Sequence, residues 1–216
     1  MSGELSAGKH KGTEAARCLM EAVAEKTVRK VTDTPSTVPQ PLLVVGTLLN
    51  DYCDDLQRQE LIPCIDLLVL LPYNPPRNAA EKATQRYAEY LYRVALPEWV
   101  SLLNVRVPSI PSFGALSDLL EEIEDTIVPI QGSELPERDI LDEVDRLVLA
   151  TIRPVNSWLE RGGGEVCYKA LSAALYAARA YARGTEGLAT IQMTHGKLMA
   201  ELIAVYKEAI KEYYNE

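Results

Sequence analysis

The chain has 216 residues, of which 47% are hydrophobic and 25% charged, so it can bury a sizeable core and lacks the composition of a disordered protein. Its formal net charge of −9 argues against a surface covered throughout with phosphate-binding residues. The four cysteines form no C-x-x-C pair and the chain has two histidines, which argues against a zinc site.

The chain begins without the apolar core of a signal peptide, and its longest apolar runs are too short to cross a bilayer. We therefore expect synthesis in the cytoplasm, reduced thiols and no membrane span. Arginine outnumbers lysine, and asparagine and glutamine are few, a composition that favours a hot environment.

The first segment is basic, in contrast to the rest of the chain. Residues 1–31 carry a net charge of +2, whereas residues 117–146 carry −9. On a helical wheel Leu19, Met20 and Val23 share one apolar arc, and Arg17 and Lys26 lie at its edges. Such a helix could bury its apolar face on a partner while the cations reach phosphates. An ordinary core helix with lysines at its edge would have the same pattern.

A proline-rich stretch, TDTPSTVPQP at residues 32–41, follows this helix and is expected to stay extended. The sequence therefore predicts three parts: an N-terminal helical arm at 1–31, a connector at 32–41 and a helical domain at 42–216. Residues 42–71 contain two apolar runs that could be buried helices or buried strands, and helix is the favoured interpretation.

After residue 71 the hydrophobic residues mostly recur with the period of a helix. Asn78 is the predicted N-cap of a helix that ends at Pro97. Amphipathic helices follow at 115–128 and 137–152, and a glycine run at 162–164 precedes two more helices. The last two helices are predicted at 165–183 and 188–214. The predicted fold class is mostly all-α, a helical bundle with an N-terminal helical arm.

The segment 166–185 is a second candidate for nucleic-acid contact, because it contains cations and tyrosine but no acid. A packed helix whose alanines allow close approach of a neighbour is the alternative. The acidic stretch is either a solvated face or a receptor for the basic arm of another copy. The predicted nucleic-acid-binding residues of both basic segments are Lys9, Lys11, Arg17, Lys26, Arg29, Lys30, Lys169, Arg179 and Arg183.

The runs LLVVGT and CIDLLVLLP resemble the nucleotidyltransferase pattern, in which two carboxylates on a strand hold magnesium. Gly46, Thr47 and Asp66 match this pattern, but Cys64 stands at the position of the first carboxylate. The resemblance therefore implies a degenerate relative, with no catalytic residue and no cofactor assigned to this chain.

The arrangement of KHKGTEAARCLMEAVAEKTVRKV before TDTPSTVPQP resembles the major capsid proteins of filamentous and rod-shaped archaeal viruses with double-stranded DNA. The arms of those proteins wrap DNA. The resemblance implies a structural, non-enzymatic subunit that assembles with itself, binds double-stranded DNA through its arm and resides in a virion. A degenerate nucleotidyltransferase and a small helical subunit of a nucleoprotein complex are the alternatives.

Overall fold

Helices account for most of the chain that the structure describes. The computed structural model describes residues 4–8, 17–28, 32–104, 118, 120–122, 125, 137–159, 164–182 and 187–214, with the backbone alone at 154–159 and 164–166. Of these described residues 77% are helical, and none of them forms a strand. The predicted all-α fold class is therefore confirmed.

Five helices form the first part of the chain. They are α1 (Leu19–Val28), α2 (Gln40–Tyr52), α3 (Asp55–Gln59), α4 (Ile62–Val69) and α5 (Ala79–Tyr90). The preference for helix over strand at residues 42–71 is thus confirmed. Prolines sit in the first turns of α2 and α4, where a missing N–H costs no hydrogen bond. Asp54 begins α3 through a capping box with Gln57.

The helix that begins as α5 continues past the proline predicted to end it. A π-helical turn, Leu91–Ala95, leads directly into α6 (Leu96–Ser101). In this turn the Leu96 N–H donates to the Leu91 carbonyl, five residues back. Pro97 has no N–H to donate, and the wider turn moves the hydrogen bonds to different partners, so the helix accommodates it. The predicted helix end at Pro97 is therefore wrong.

Three longer helices follow: α7 (Arg138–Leu159), α8 (Gly164–Tyr181) and α9 (Gly187–Lys211). They correspond to the predicted helices at 137–152, 165–183 and 188–214, and α7 extends seven residues further than predicted. The predicted helix at 115–128 lies largely outside the described residues, although positions 118, 120–122 and 125 within it are helical.

The chain divides into two compact units. Unit 1 comprises residues 1–88 and 199–216, and unit 2 comprises residues 89–198. In unit 1, α1 packs on α4 and α2. In unit 2, α7 and α6 pack on α8, and α7 also contacts the π turn. The buried face of α8 contains Cys167 and otherwise alanines, which permit the close approach expected for a packed helix; the alanines are Ala170, Ala173, Ala174, Ala177 and Ala178.

The position of α1 corrects the predicted N-terminal arm. Leu19, Met20 and Val23, the apolar arc assigned to a partner, are fully buried against this chain's own α2 and α4. Residues 17–28 therefore belong to the core of unit 1 and do not leave it as an arm. The connector contributes to the same unit, since Val38 is buried and α2 already begins at Gln40.

Close packing of three helices explains a glycine within α2. A Cβ on Gly46 would collide with Cε of Met20 on α1 and with the hydroxyl of Tyr206 on α9. The Met20 side chain is flexible, but the Tyr206 hydroxyl is held by a 3.1 Å bond to the Leu42 carbonyl. Glycine at this position therefore allows α1 and α9 to approach α2.

Replacing Gly46 with alanine should destabilise the protein by about 1–3 kcal/mol, the usual cost of overpacking a core. Gly196→Ala is the matched control, because it also lies within a helix and a Cβ there meets nothing within 4 Å. We expect the control to be neutral or to stabilise by up to ~1 kcal/mol through helix propensity. Urea unfolding measures both; equal stabilisation by the two substitutions would contradict the packing described.

Candidate nucleic-acid interface and the Asn50 cluster

Four of the nine predicted nucleic-acid-binding residues lie in the described part of the chain, and each is close to a carboxylate. Arg17 Nε lies 3.5 Å from Glu25 Oε2, and Lys26 Nζ lies 2.7 Å from Asp66 Oδ1. In unit 2, Lys169 Nζ lies 3.5 Å from Glu121 Oε1. The remaining candidates, Lys9, Lys11, Arg29, Lys30 and Arg183, lie outside the described residues.

Arg179 has the most extensive of these contacts. It forms a two-pronged ion pair with Asp145 on α7, in which Nε donates to Oδ1 at 2.9 Å. Hydrogen bonding to Asp145 raises the pKa of the Arg179 guanidinium. Tyr176, predicted beside it on the same face, is 47% exposed. This face of α8 therefore presents tyrosine to solvent, but its arginine also holds α7.

The ion pairs differ in how readily a phosphate could replace the carboxylate. The Lys26 side chain is 51% exposed, and pairs between exposed groups contribute little, typically about 0–1 kcal/mol. The Arg17 side chain is only 18% exposed. Lys26 therefore remains available to an anionic partner, whereas Arg17 is largely withdrawn from solvent.

The structure does not support the strand-borne pattern of a nucleotidyltransferase. Gly46 and Thr47 lie inside α2, and Asp66 lies on α4, where it pairs with Lys26. Cys64 is buried, and desolvation raises the pKa of its thiol to about 11. Among the described residues no group of three or more His, Cys, Asp or Glu side chains is placed to hold a metal ion.

The most developed polar site of unit 1 was not predicted. Asn50, at the end of α2, is 1% exposed and contacts three segments of the chain. Its Oδ1 accepts from the Leu19 N–H at 3.0 Å, and its Nδ2 donates to the Ser6 carbonyl at 2.8 Å. Its own carbonyl accepts from Arg58 Nε at 2.6 Å. We refer to Asn50, Arg58 and Gln59 as the Asn50 cluster.

Arg58 closes the C-terminal end of α2. Its guanidinium is buried, and besides Asn50 it donates to the Cys53 carbonyl and to Asp55 Oδ1, both at 2.6 Å. The last carbonyls of a helix have no partner within the helix, and a cation also interacts favourably with the helix dipole there. Arg58 thus fixes the turn between α2, which carries Asn50, and α3, which carries Gln59.

Glu21 completes the start of α1 from the other side. Its carboxylate accepts from the Cys18 N–H at 2.9 Å, while the Glu21 N–H donates to Cys18 Sγ at 3.4 Å. This reciprocal arrangement is a capping box with a thiol in place of the usual hydroxyl. Desolvation raises the Cys18 pKa to about 12, so the thiol stays neutral. The capping contact explains why Glu21 is buried although it carries a carboxylate.

Residues 4–8 are bound at this cluster, with Leu5 in a β-bridge to Arg17 and a bend at Ala7 and Gly8. One glutamine, Gln59, accepts from the Leu5 N–H and donates to the Leu5 carbonyl, each at 2.9 Å. The Ser6 N–H donates to the Arg17 carbonyl at 3.0 Å, and the Gly8 N–H donates to Asp51 Oδ1 at 3.0 Å.

A polar residue at the end of the apolar run LLVVGTLLN is the sequence signal that could have identified Asn50.

In the described part of the chain no helix is long and apolar enough to cross a membrane. No known protein family, curated protein or solved structure matches this chain.

Proposed function

We propose that the protein is a structural, self-assembling helical subunit that coats or packages nucleic acid. The proposal has two parts, self-association and nucleic-acid binding, and each has separate support. An enzymatic role has less support, because the residues that suggested it lie on helices and Asp66 is paired with a lysine.

Self-association is supported by the exposed side of α4, which is the observation that carries the proposal. The inward residues of α4, including Cys64 and Leu68, are buried, whereas Leu67 on its outward side is 37% exposed, and two larger exposed side chains follow where the chain leaves the helix. Leu70 is 71% exposed and Tyr73 is 98% exposed. Tyr214 extends this area, since its hydroxyl donates to the Leu67 carbonyl. We call Leu67, Leu70, Tyr73 and Tyr214 the α4 surface.

The α4 surface has the properties of a contact between identical subunits. A group of large apolar side chains exposed side by side is typical of a surface that a partner covers. Asp66 is the one acidic residue within α4, and its exposed carboxylate pairs with Lys26 at 2.7 Å, so this charge is balanced within the chain. A surface of this kind can pair with its own copy across a two-fold axis, the commonest arrangement in soluble oligomers.

Nucleic-acid binding is supported by the distribution of charge along the sequence. Lys9 and Lys11 precede α1, and Arg29 and Lys30 follow it, whereas the chain as a whole is acidic. Because the described candidates have carboxylate partners, the proposed phosphate contacts fall to these four residues, with Arg183 and the exposed Lys26 as additions. Double-stranded DNA is the proposed partner, in accordance with the arrangement of the basic segment.

Introducing charge into the α4 surface should prevent self-association. The double variant Leu70→Asp, Tyr73→Asp should bind its own copy at least about tenfold more weakly, since burying one such side chain contributes roughly 1.5–3 kcal/mol. Leu56→Asp is the control, because Leu56 is 85% exposed on α3, outside the α4 surface. Sedimentation equilibrium over a range of concentrations measures the association. A parent that stays monomeric throughout, or a double variant that assembles like the parent, would refute self-assembly through this surface.

Removing the basic residues that flank α1 should weaken DNA binding without unfolding the protein. Glutamine at Lys9, Lys11, Arg29 and Lys30 should lower the slope of log K against log salt by about 3 to 4, given roughly 0.9 counterions released per phosphate contact. The control has the same change in charge and replaces Lys82, Lys197, Lys207 and Lys211 with glutamine. Fluorescence anisotropy with a DNA duplex measures both slopes. Equal losses in the two variants would indicate nonspecific attraction, and an unchanged slope would exclude the proposed contacts.

A further inference from the structure

We propose that the groove at the Asn50 cluster is a docking site for a short peptide segment, and that in the assembled protein residues 4–8 of a second copy occupy it. The inference rests on the self-assembly proposed above and assigns a second contact to it. Its starting point is the way in which residues 4–8 are held within one chain.

The groove recognises main-chain groups. The N–H groups of Leu5, Ser6 and Gly8 and the carbonyls of Leu5 and Ser6 are all hydrogen-bonded. Four of these five bonds are made by three side chains, those of Gln59, Asn50 and Asp51. Gln59 binds both main-chain groups of Leu5, as an adjacent β-strand would, and Leu5 forms a single bridge with Arg17 in the same manner.

One side chain of the bound segment provides the specificity. Leu5 is buried, whereas Glu4, Ala7 and Gly8 are exposed. The groove therefore binds a segment that pairs like a β-strand at Leu5, buries that leucine and bends at Ala7 and Gly8. These requirements are met equally well by the chain's own segment and by the same segment of another copy.

The groove itself is held in place independently of its occupant. Gln59 belongs to α3, which begins at the Asp54 capping box, and its Nε2 also donates to the Asp55 carbonyl at 3.2 Å. Asn50 is fixed through the Leu19 N–H and through Arg58. A site with a preformed shape loses less on binding than one that must be ordered, so a segment from another chain could enter it.

The connection to α1 is long enough for exchange. Eight residues, 9–16, separate the bound segment from Arg17. Fully extended they span up to about 26–29 Å, which is the farthest that the segment could dock from its own Arg17. Exchange of identical segments preserves every contact of residues 4–8 with the groove. The equilibrium between the exchanged and the unexchanged form therefore depends on protein concentration and on the entropy of loop closure. Subunits held together through the α4 surface would favour the exchanged form.

The first test uses the full chain with Leu5→Asp, whose own segment cannot bury a charge and so leaves the groove available. A fluorescent peptide with the sequence of residues 2–8, SGELSAG, should bind this chain saturably. The same peptide with aspartate for leucine should bind at least tenfold more weakly. Adding Gln59→Ala to the chain should also weaken binding at least tenfold, whereas adding the control Gln40→Ala, an exposed glutamine of α2, should not.

The second test asks whether intact chains exchange the segment. Leu5→Asp supplies a groove without a competent segment, and Gln59→Ala supplies a segment without a competent groove. Both variants also carry Leu70→Asp and Tyr73→Asp, so that the α4 surface does not contribute to dimer formation. At high concentration the mixture should form one-to-one dimers that neither chain forms alone. Absence of mixed dimers together with absence of peptide binding would overturn the inference, while the α4 variants would still decide on self-assembly.

A third form of the experiment avoids any change in the groove or the segment. A protease site placed within residues 9–16 allows the bound segment to be severed from an otherwise normal, folded chain. After cleavage the labelled peptide should displace the severed segment and bind with the same dependence on leucine. Failure to bind to a cleaved chain that has released its segment would contradict docking, even if Leu5→Asp does not fold.

Discussion

The burial of α1 between α2 and α4 is the constraint on which the rest of unit 1 depends. Leu19, Met20 and Val23 supply apolar surface, and Asn50 binds the first N–H group of the helix from the end of α2. Gly46 leaves room for this packing, and Arg58 binds the Asn50 carbonyl and holds the turn that follows α2. Because a buried amide must be hydrogen-bonded, Asn50 also fixes where the helix begins. The groove for residues 4–8 is a consequence of the same arrangement.

Local patterns predicted the helices because helical periodicity is a property of neighbouring residues. Local patterns gave wrong predictions where the structure depends on residues that are distant in sequence. The apolar arc and edge cations of α1 are the same whether the helix covers its own chain or another, so the sequence could not decide between them. Pro97 is a strong signal for a helix end, and a π turn that removes the conflict has no comparable signature. The partners of Asn50 become visible only when α1 and residues 4–8 are in place, and the requirement for glycine at position 46 only when α1 and α9 are.

The candidate site was less predictable than the fold, since counting charges along a segment ignores partners that are distant in sequence. Lys26 meets Asp66, and Arg179 meets Asp145, at separations of 40 and 34 residues. In the structure these cations contact carboxylates of their own unit, although the sequence predicted that they bind phosphate. The proposed function therefore depends on two features of unit 1, the apolar α4 surface and the basic residues that flank α1. Assembly and nucleic-acid binding would then depend on opposite properties, apolar area and exposed charge, and could be altered separately.

Native-state amide hydrogen exchange of the unmodified protein tests the central claim most directly. If α1 is a core element, amides of the helix from Val23 to Val28, which bond within it, should be protected to a degree similar to those of α9 between Leu202 and Ile210. The protection should not change when the protein is diluted below the concentration at which it associates. Exchange of α1 at nearly the rate of an unfolded peptide, or protection that appears only in the associated protein, would show that the helix is an arm that needs a partner.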